Sequence, residues 1–114
     1  AIEESEERFR TFMETANDFM FIINGEGRIS YANSAMYNAL GYLKEEIEGM
    51  GVTDIISQDS LDDQAEAEMV LKEKEEVRYE LVLETKHRKK IYGEMVASGI
   101  FNPEGELTGV RGVF

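Results

Sequence analysis

Apolar and polar positions change period along the chain. Near the start, Phe9, Phe12, Met13 and Ala16 recur at helical spacing, one face of an amphipathic helix. Ser5, Glu6, Glu7 and Arg8 give it an acidic first turn. Ile2, Ser5, Phe9, Phe12 and Ala16 also fit two heptads, too few to establish a coiled coil alone. Phe19-Met20-Phe21-Ile22-Ile23 is a short aromatic and β-branched run, read as a strand. Arg28-Ile29-Ser30-Tyr31-Ala32 alternates as a second strand, and the glycine-containing turn between them makes a hairpin. Asn33 caps a short helix whose apolar face is Met36, Tyr37 and Leu40, and Gly41 ends it. Short helical pieces follow at Lys44–Glu48 and Asp54–Ile56. A longer helix is expected from Asp59 to about Lys74, with a thin apolar stripe of Leu61, Ala65, Met69 and Val70.

The last third alternates with period two. Val77, Tyr79, Leu81 and Leu83 share one strand face, and residues 86–90 form a turn. Ile91–Phe101 and Leu107–Phe114 are strands, separated by the turn Asn102-Pro103-Glu104-Gly105. This order predicts an α+β domain: a five-stranded antiparallel sheet with helices on one face and an N-terminal flanking helix. Residues 1–17 are assigned to the flanking helix and 18–114 to the domain.

At 114 residues the chain is one domain's worth, with 42% hydrophobic content consistent with a folded core. Twenty-four acidic against twelve basic residues give a net charge of -12, a field that repels nucleic acid. The one basic cluster, Lys86-His87-Arg88-Lys89-Lys90, is short and lies in a turn. No cysteine is present, which excludes disulfides and thiol chemistry and fits a reducing, cytoplasmic setting. No apolar run approaches the ~20 residues that span a bilayer, so no direct membrane contact is expected. The start at Ala1-Ile2-Glu3 and the stop at Gly112-Val113-Phe114 read as a domain cut from a longer protein.

No catalytic constellation stands out. His87 is the only histidine and lies inside a Lys/Arg-rich turn, where no metal site or catalytic triad is expected. Gly25-Glu26-Gly27 precedes a strand, whereas a phosphate loop opens a helix, so it reads as a hairpin turn. Asp54, Asp59, Asp62 and Asp63 lack the spacing of a calcium loop, and helix capping explains Asp54 and Asp59 better. No metal site is expected. Two readings stand for the interior. One is a packed core. The other is a small pocket, with room left by Gly93, Gly99 and Gly112 and a lining of Phe21, Tyr31, Met36, Leu40, Ile56, Leu83, Met95 and Phe114.

Four stretches in order carry a resemblance to a known family. Ser5-Glu6-Glu7-Arg8-Phe9-Arg10 resembles the lead helix before PAS domains. The run from Phe21 through Asn24, Gly27-Arg28-Ile29 and Tyr31 to Asn33 resembles their first hairpin. Leu40-Gly41-Tyr42, Glu45-Glu46-Ile47 and Gly49 resemble the helical turn after it, and Asn102 to Gly109 resembles the last hairpin. Asn24 stands where the family usually has Asp. The resemblance implies a sensory and dimerising module of a larger signalling protein, a sensor histidine kinase first. The alternative is a domain binding a metabolite or FAD in a diguanylate cyclase or transcription regulator. The domain itself is expected to have no catalytic site, and the full-length protein to be a kinase or cyclase. A homodimer through Phe9, Phe12 and Met13 is expected, with an effector domain downstream in the same chain and a small-molecule ligand in the pocket under the second reading. The cofactor is unassigned. The resemblance disfavours a flavin that forms a cysteine adduct, because there is no cysteine, and haem, because the histidine is not on the long helix.

Overall fold

The computed structural model describes residues 2–15 and 17–114, and side chains from Glu6 onward apart from Ala16. Ala16 and the side chains of Ile2 and Ser5, used in the stripe and heptad readings, lie outside the described residues.

The element order is helix α1 (Ile2–Thr15), strands β1 (Met20–Asn24) and β2 (Ile29–Ala32), then helices α2 (Ser34–Leu40) and α3 (Lys44–Ile47). Two 3-10 turns follow at Val52–Ile55 and Gln58–Ser60, then helix α4 (Leu61–Leu71). Strands β3 (Glu76–Glu84), β4 (Lys90–Phe101) and β5 (Leu107–Val113) complete the chain. The five strands form one antiparallel sheet in the order β2-β1-β5-β4-β3. The last strand therefore inserts beside the first, and β2 and β3 are the edges.

The inner face carries Phe21 and Ile23, Val110 and Gly112, Met95 and Ala97, Leu81 and Leu83. These residues pack against Met36, Leu40, Ile47, Ile55 and Leu71 of the helical segment. The period-two pattern of β3, β4 and β5 matches this burial directly, because one face is covered and the other is not.

Four details differ from the sequence reading. The segment expected as one helix from Asp59 to Lys74 is a 3-10 turn followed by α4. The buried side of α4 is Gln64, Ala67 and Leu71, while Ala65 and Met69 face outward. Asp54 and Asp59 do not cap helices: the cap positions before the 3-10 turns are Gly51 and Ser57, and the Asp59 carboxylate instead accepts from Lys90 Nζ at 2.7 Å. Finally, Tyr31 is not on the inner face. The pairing of β1 and β2 shifts register between Ile22 and Ile23, so Ile29 opposes Ile23 while Tyr31 opposes Ile22. The bulge absorbs Ser30 and turns Tyr31 to the outer face, leaving Ala32 fully buried in its place.

Candidate functional site

The cavity between the sheet and the helices is small, about 30 Å³. That is room for about one water molecule. Of the residues expected to line a pocket, the structure brings Phe21, Ile56, Leu83 and Met95 to this cavity. Met36 and Leu40 are fully buried but sit elsewhere in the core. Phe114 stacks on Phe19, with ring centroids 5.8 Å apart, and does not line the cavity.

The glycines do not leave room; aromatic rings occupy the space above them. A Cβ built on Gly112 would lie 2.5 Å from the tip of the Phe21 ring, and one on Gly93 would lie 2.7 Å from the Phe114 ring. A Cβ on Gly99 would meet Phe101 at 2.7 Å. Each missing side chain is thus a seat for a phenylalanine, and at Gly112 that ring, Phe21, fills space at the wall of the cavity.

Sequence reasoning missed the polar side of this cavity. Gln64, Glu68 and Tyr79 join its lining. Gln64 Nε2 donates to Glu68 Oε1 at 2.7 Å. Burial, reinforced by the negative charges of Glu68 and Asp63, pushes the Tyr79 hydroxyl up to about 12. Glutamine and glutamate on a helix read as solvated surface, so no pattern in the sequence marks them.

A second constellation lies where α1 meets the domain, and Asn33 is its centre. This fully buried side chain does more than cap α2. Its Oδ1 accepts from the N–H groups of Met36 and Met20, both at 3.1 Å. Its Nδ2 donates to the carbonyls of Met13 at 2.8 Å and Asp18 at 2.9 Å. One amide therefore ties the end of α1, the start of β1 and the start of α2. Beside it the Tyr31 hydroxyl donates to Glu14 Oε1 at 2.7 Å, and the Ser34 N–H donates to Glu14 Oε2 at 3.2 Å. The hydrogen bond from Tyr31 is the main cause that holds the Glu14 carboxyl below its ordinary value; burial and the neighbouring carboxylate push the Tyr31 hydroxyl up.

The stripe on α1 divides. Met13 is 2% exposed and belongs to the domain's own interior, so it is not free for a partner. Phe9 is 41% exposed and leans on Tyr31, with ring centroids 6.4 Å apart. Phe12 is 63% exposed.

The basic cluster is a turn, as expected, and it is clamped rather than open. Lys86 Nζ reaches Glu46 at 2.8 Å, Lys90 Nζ reaches Asp59 at 2.7 Å and Arg88 faces Glu84 at 3.8 Å. The loop Asn24–Arg28 is a turn in which Asn24 Oδ1 accepts from the Glu26 and Arg28 N–H groups. Among the described residues no cluster of three or more acidic, histidine or cysteine side chains could hold a metal ion, and no helix is long and apolar enough to cross a membrane.

The family profile described as the PAS fold matches residues 7–114. The chain belongs to the PAS family, whose members are regulatory, sensory domains. The crystal structure of a PAS domain from Colwellia psychrerythraea is similar with a TM-score of 0.85 and 15% identity, over 96% of this chain and 93% of that one. A domain of a sensory box sensor histidine kinase/response regulator from Geobacter sulfurreducens is similar with a TM-score of 0.76 and 23% identity, over 99% of this chain and 95% of that one. A methyl sulfide methyltransferase-associated sensor of Methanosarcina acetivorans is 45% identical over 58 residues, which are 49% of this chain and 6% of that protein. The chain thus spans a small fraction of that curated relative.

Proposed function

We propose that this domain is a signal-input and dimerisation module of a larger signalling protein, with a sensor histidine kinase as the first candidate for its output. It acts through its flanking helix rather than through a bound metabolite. The observation that carries this reading is the division of α1. One side is tied by Met13, Glu14 and Asn33 to the sheet and to α2, while Phe12 stays open to a partner. A helix held this way moves with the domain and also touches whatever lies beside it. The cavity supports the same reading. Ligand sites that hold metabolites are about 300–1,000 Å³, and this one is about 30 Å³. The kinase relative from Geobacter sulfurreducens supports that choice of output by likeness.

The test is the mass of the purified chain by light scattering. The wild type is expected to dimerise at high concentration, and Phe12→Glu to be monomeric with an unchanged circular dichroism spectrum, since Phe12 contributes little to the core. A wild type that stays monomeric, or a variant of unchanged mass, overturns the proposal. Mass spectrometry of protein taken from its native host addresses the interior. A stoichiometric small molecule would move the reading to a ligand sensor.

A further inference from the structure

Helix α1 is held at one end, and by one short segment. Among the described residues, its hydrogen bonds to the rest of the domain all come from its last turn. Met13 C=O accepts from Asn33 Nδ2, and the Glu14 carboxylate accepts from the Tyr31 hydroxyl and the Ser34 N–H. Further up the helix, the Phe9 ring leans on the Tyr31 ring. The other side of each of these contacts is the corner Tyr31–Ser34, where β2 ends and α2 begins.

That corner is itself fixed. Tyr31 and Ala32 pair with Ile22 and Phe21 of β1. Asn33 N–H donates to Met20 C=O at 2.9 Å. Asn33 Oδ1 caps α2 at Met36 N–H, and Met36 and Leu40 anchor α2 in the core with no exposed surface. The helix it holds is not secure by itself, because 14 residues form a marginal helix alone in water. The helicity of α1 and its orientation therefore both depend on the corner.

The two ends of the Asn33 amide have separate jobs. Its oxygen accepts from the Met36 and Met20 N–H groups, which holds the starts of α2 and β1. Its nitrogen donates to Met13 C=O, which holds α1, and to Asp18 C=O. A displacement of α2 is thus passed to α1 through one side chain.

We propose that the corner Tyr31–Ser34 is the positioning element of α1: the helix attaches and detaches there as one unit, and that equilibrium sets where Phe12 is presented. This deepens the signal-input reading, on which its meaning for signalling rests. The attachment itself needs no dimer.

The test uses the whole chain carrying Phe12→Glu, so that α1 is followed without a second copy and a missing dimer is a separate result. Amide exchange is measured in three further variants. Asn33→Asp keeps the oxygen that accepts from Met20 and Met36 but sets a second oxygen against the Met13 and Asp18 carbonyls. It should lower the protection of the α1 amides about tenfold, the worth of roughly one net hydrogen bond. Arg10 and Thr11, most of a turn before the broken bond, should lose as much as Met13 and Glu14, while the α2 amides keep theirs. Glu14→Ala lies on the surface and should lower the same α1 amides several-fold with the fold intact. Met95→Ala removes core volume without touching the corner and should leave α1 protection unchanged. Spin labels give a second readout, since the chain has no cysteine of its own. With labels on cysteines at Arg8 and Glu94, the parent should show one narrow distance and the two corner variants a broad distribution. Loss confined to Met13 and Glu14 would show a local bond only and overturn the proposal. So would α1 amides without protection in the parent, equal loss in Met95→Ala, or an unchanged distance distribution in Glu14→Ala. If Asn33→Asp does not fold, Glu14→Ala and Tyr31→Phe decide the matter by the same readouts.

Discussion

Two glycines make the packing of the core testable one residue at a time. Gly112 and Gly93 both lie under phenylalanine rings, but the rings differ in freedom. Phe21, over Gly112, is fully buried, whereas Phe114, over Gly93, is half-buried at the end of β5. An added methyl at Gly112 has nowhere to send the ring. Gly112→Ala should cost about 1–3 kcal/mol in urea unfolding, the usual range for overpacking. Gly93→Ala should cost clearly less, because Phe114 can swing toward solvent. Equal costs would mean that the ring over Gly112 is not fixed. The same reasoning applies to Met95→Trp. With a cavity of about 30 Å³ beside it, the larger side chain cannot be housed, and a loss of about 1–3 kcal/mol is expected. A variant as stable as wild type would show a larger space than the structure has.

Elements, and above all the junctions between them, decide how α1 is held. The bond from Tyr31 to Glu14 needs the carboxylate. The folded carboxyl lies below its ordinary value of 4.5. Its contribution is therefore present above that ordinary value and is lost as pH falls through the lower, folded one. The protection of the α1 amides, relative to the intrinsic exchange rate at each pH, should fall on acidification through that window, and Tyr31→Phe should remove most of that pH dependence. An α1 that exchanges identically in both proteins at every pH would break this link. The same junction shows what the sequence could and could not reveal. The strands β3, β4 and β5 were legible because one covered face imposes period two on Val77, Tyr79, Leu81 and Leu83. Tyr31 was misplaced because a single bulge reverses that period, and a bulge leaves no mark in a polar–apolar string. The inward side of α4 was misread for a related reason: Gln64 fills an inner position through its hydrogen bond to Glu68, while apolar Met69 faces out. Asn33 was legible as a cap, since capping is local. Its bonds to Met13, Met20 and Asp18 depend on tertiary placement and could not be read.

On the scale of the whole molecule, net charge sets how the proposed dimer responds to salt. Bringing together two chains of net charge -12 is opposed by long-range repulsion. The contact at Phe12 is apolar and owes nothing to that field. Screening shortens the reach of charge to about 10 Å at 0.1 M salt and about 3 Å at 1 M. Self-association through α1 should therefore strengthen as salt rises. Sedimentation of the free chain at about 0.03 and 0.5 M sodium chloride tests this. If self-association weakens with salt, the dimer is held by ion pairs and not by Phe12. If it does not respond, the acidic excess lies too far from the contact to matter.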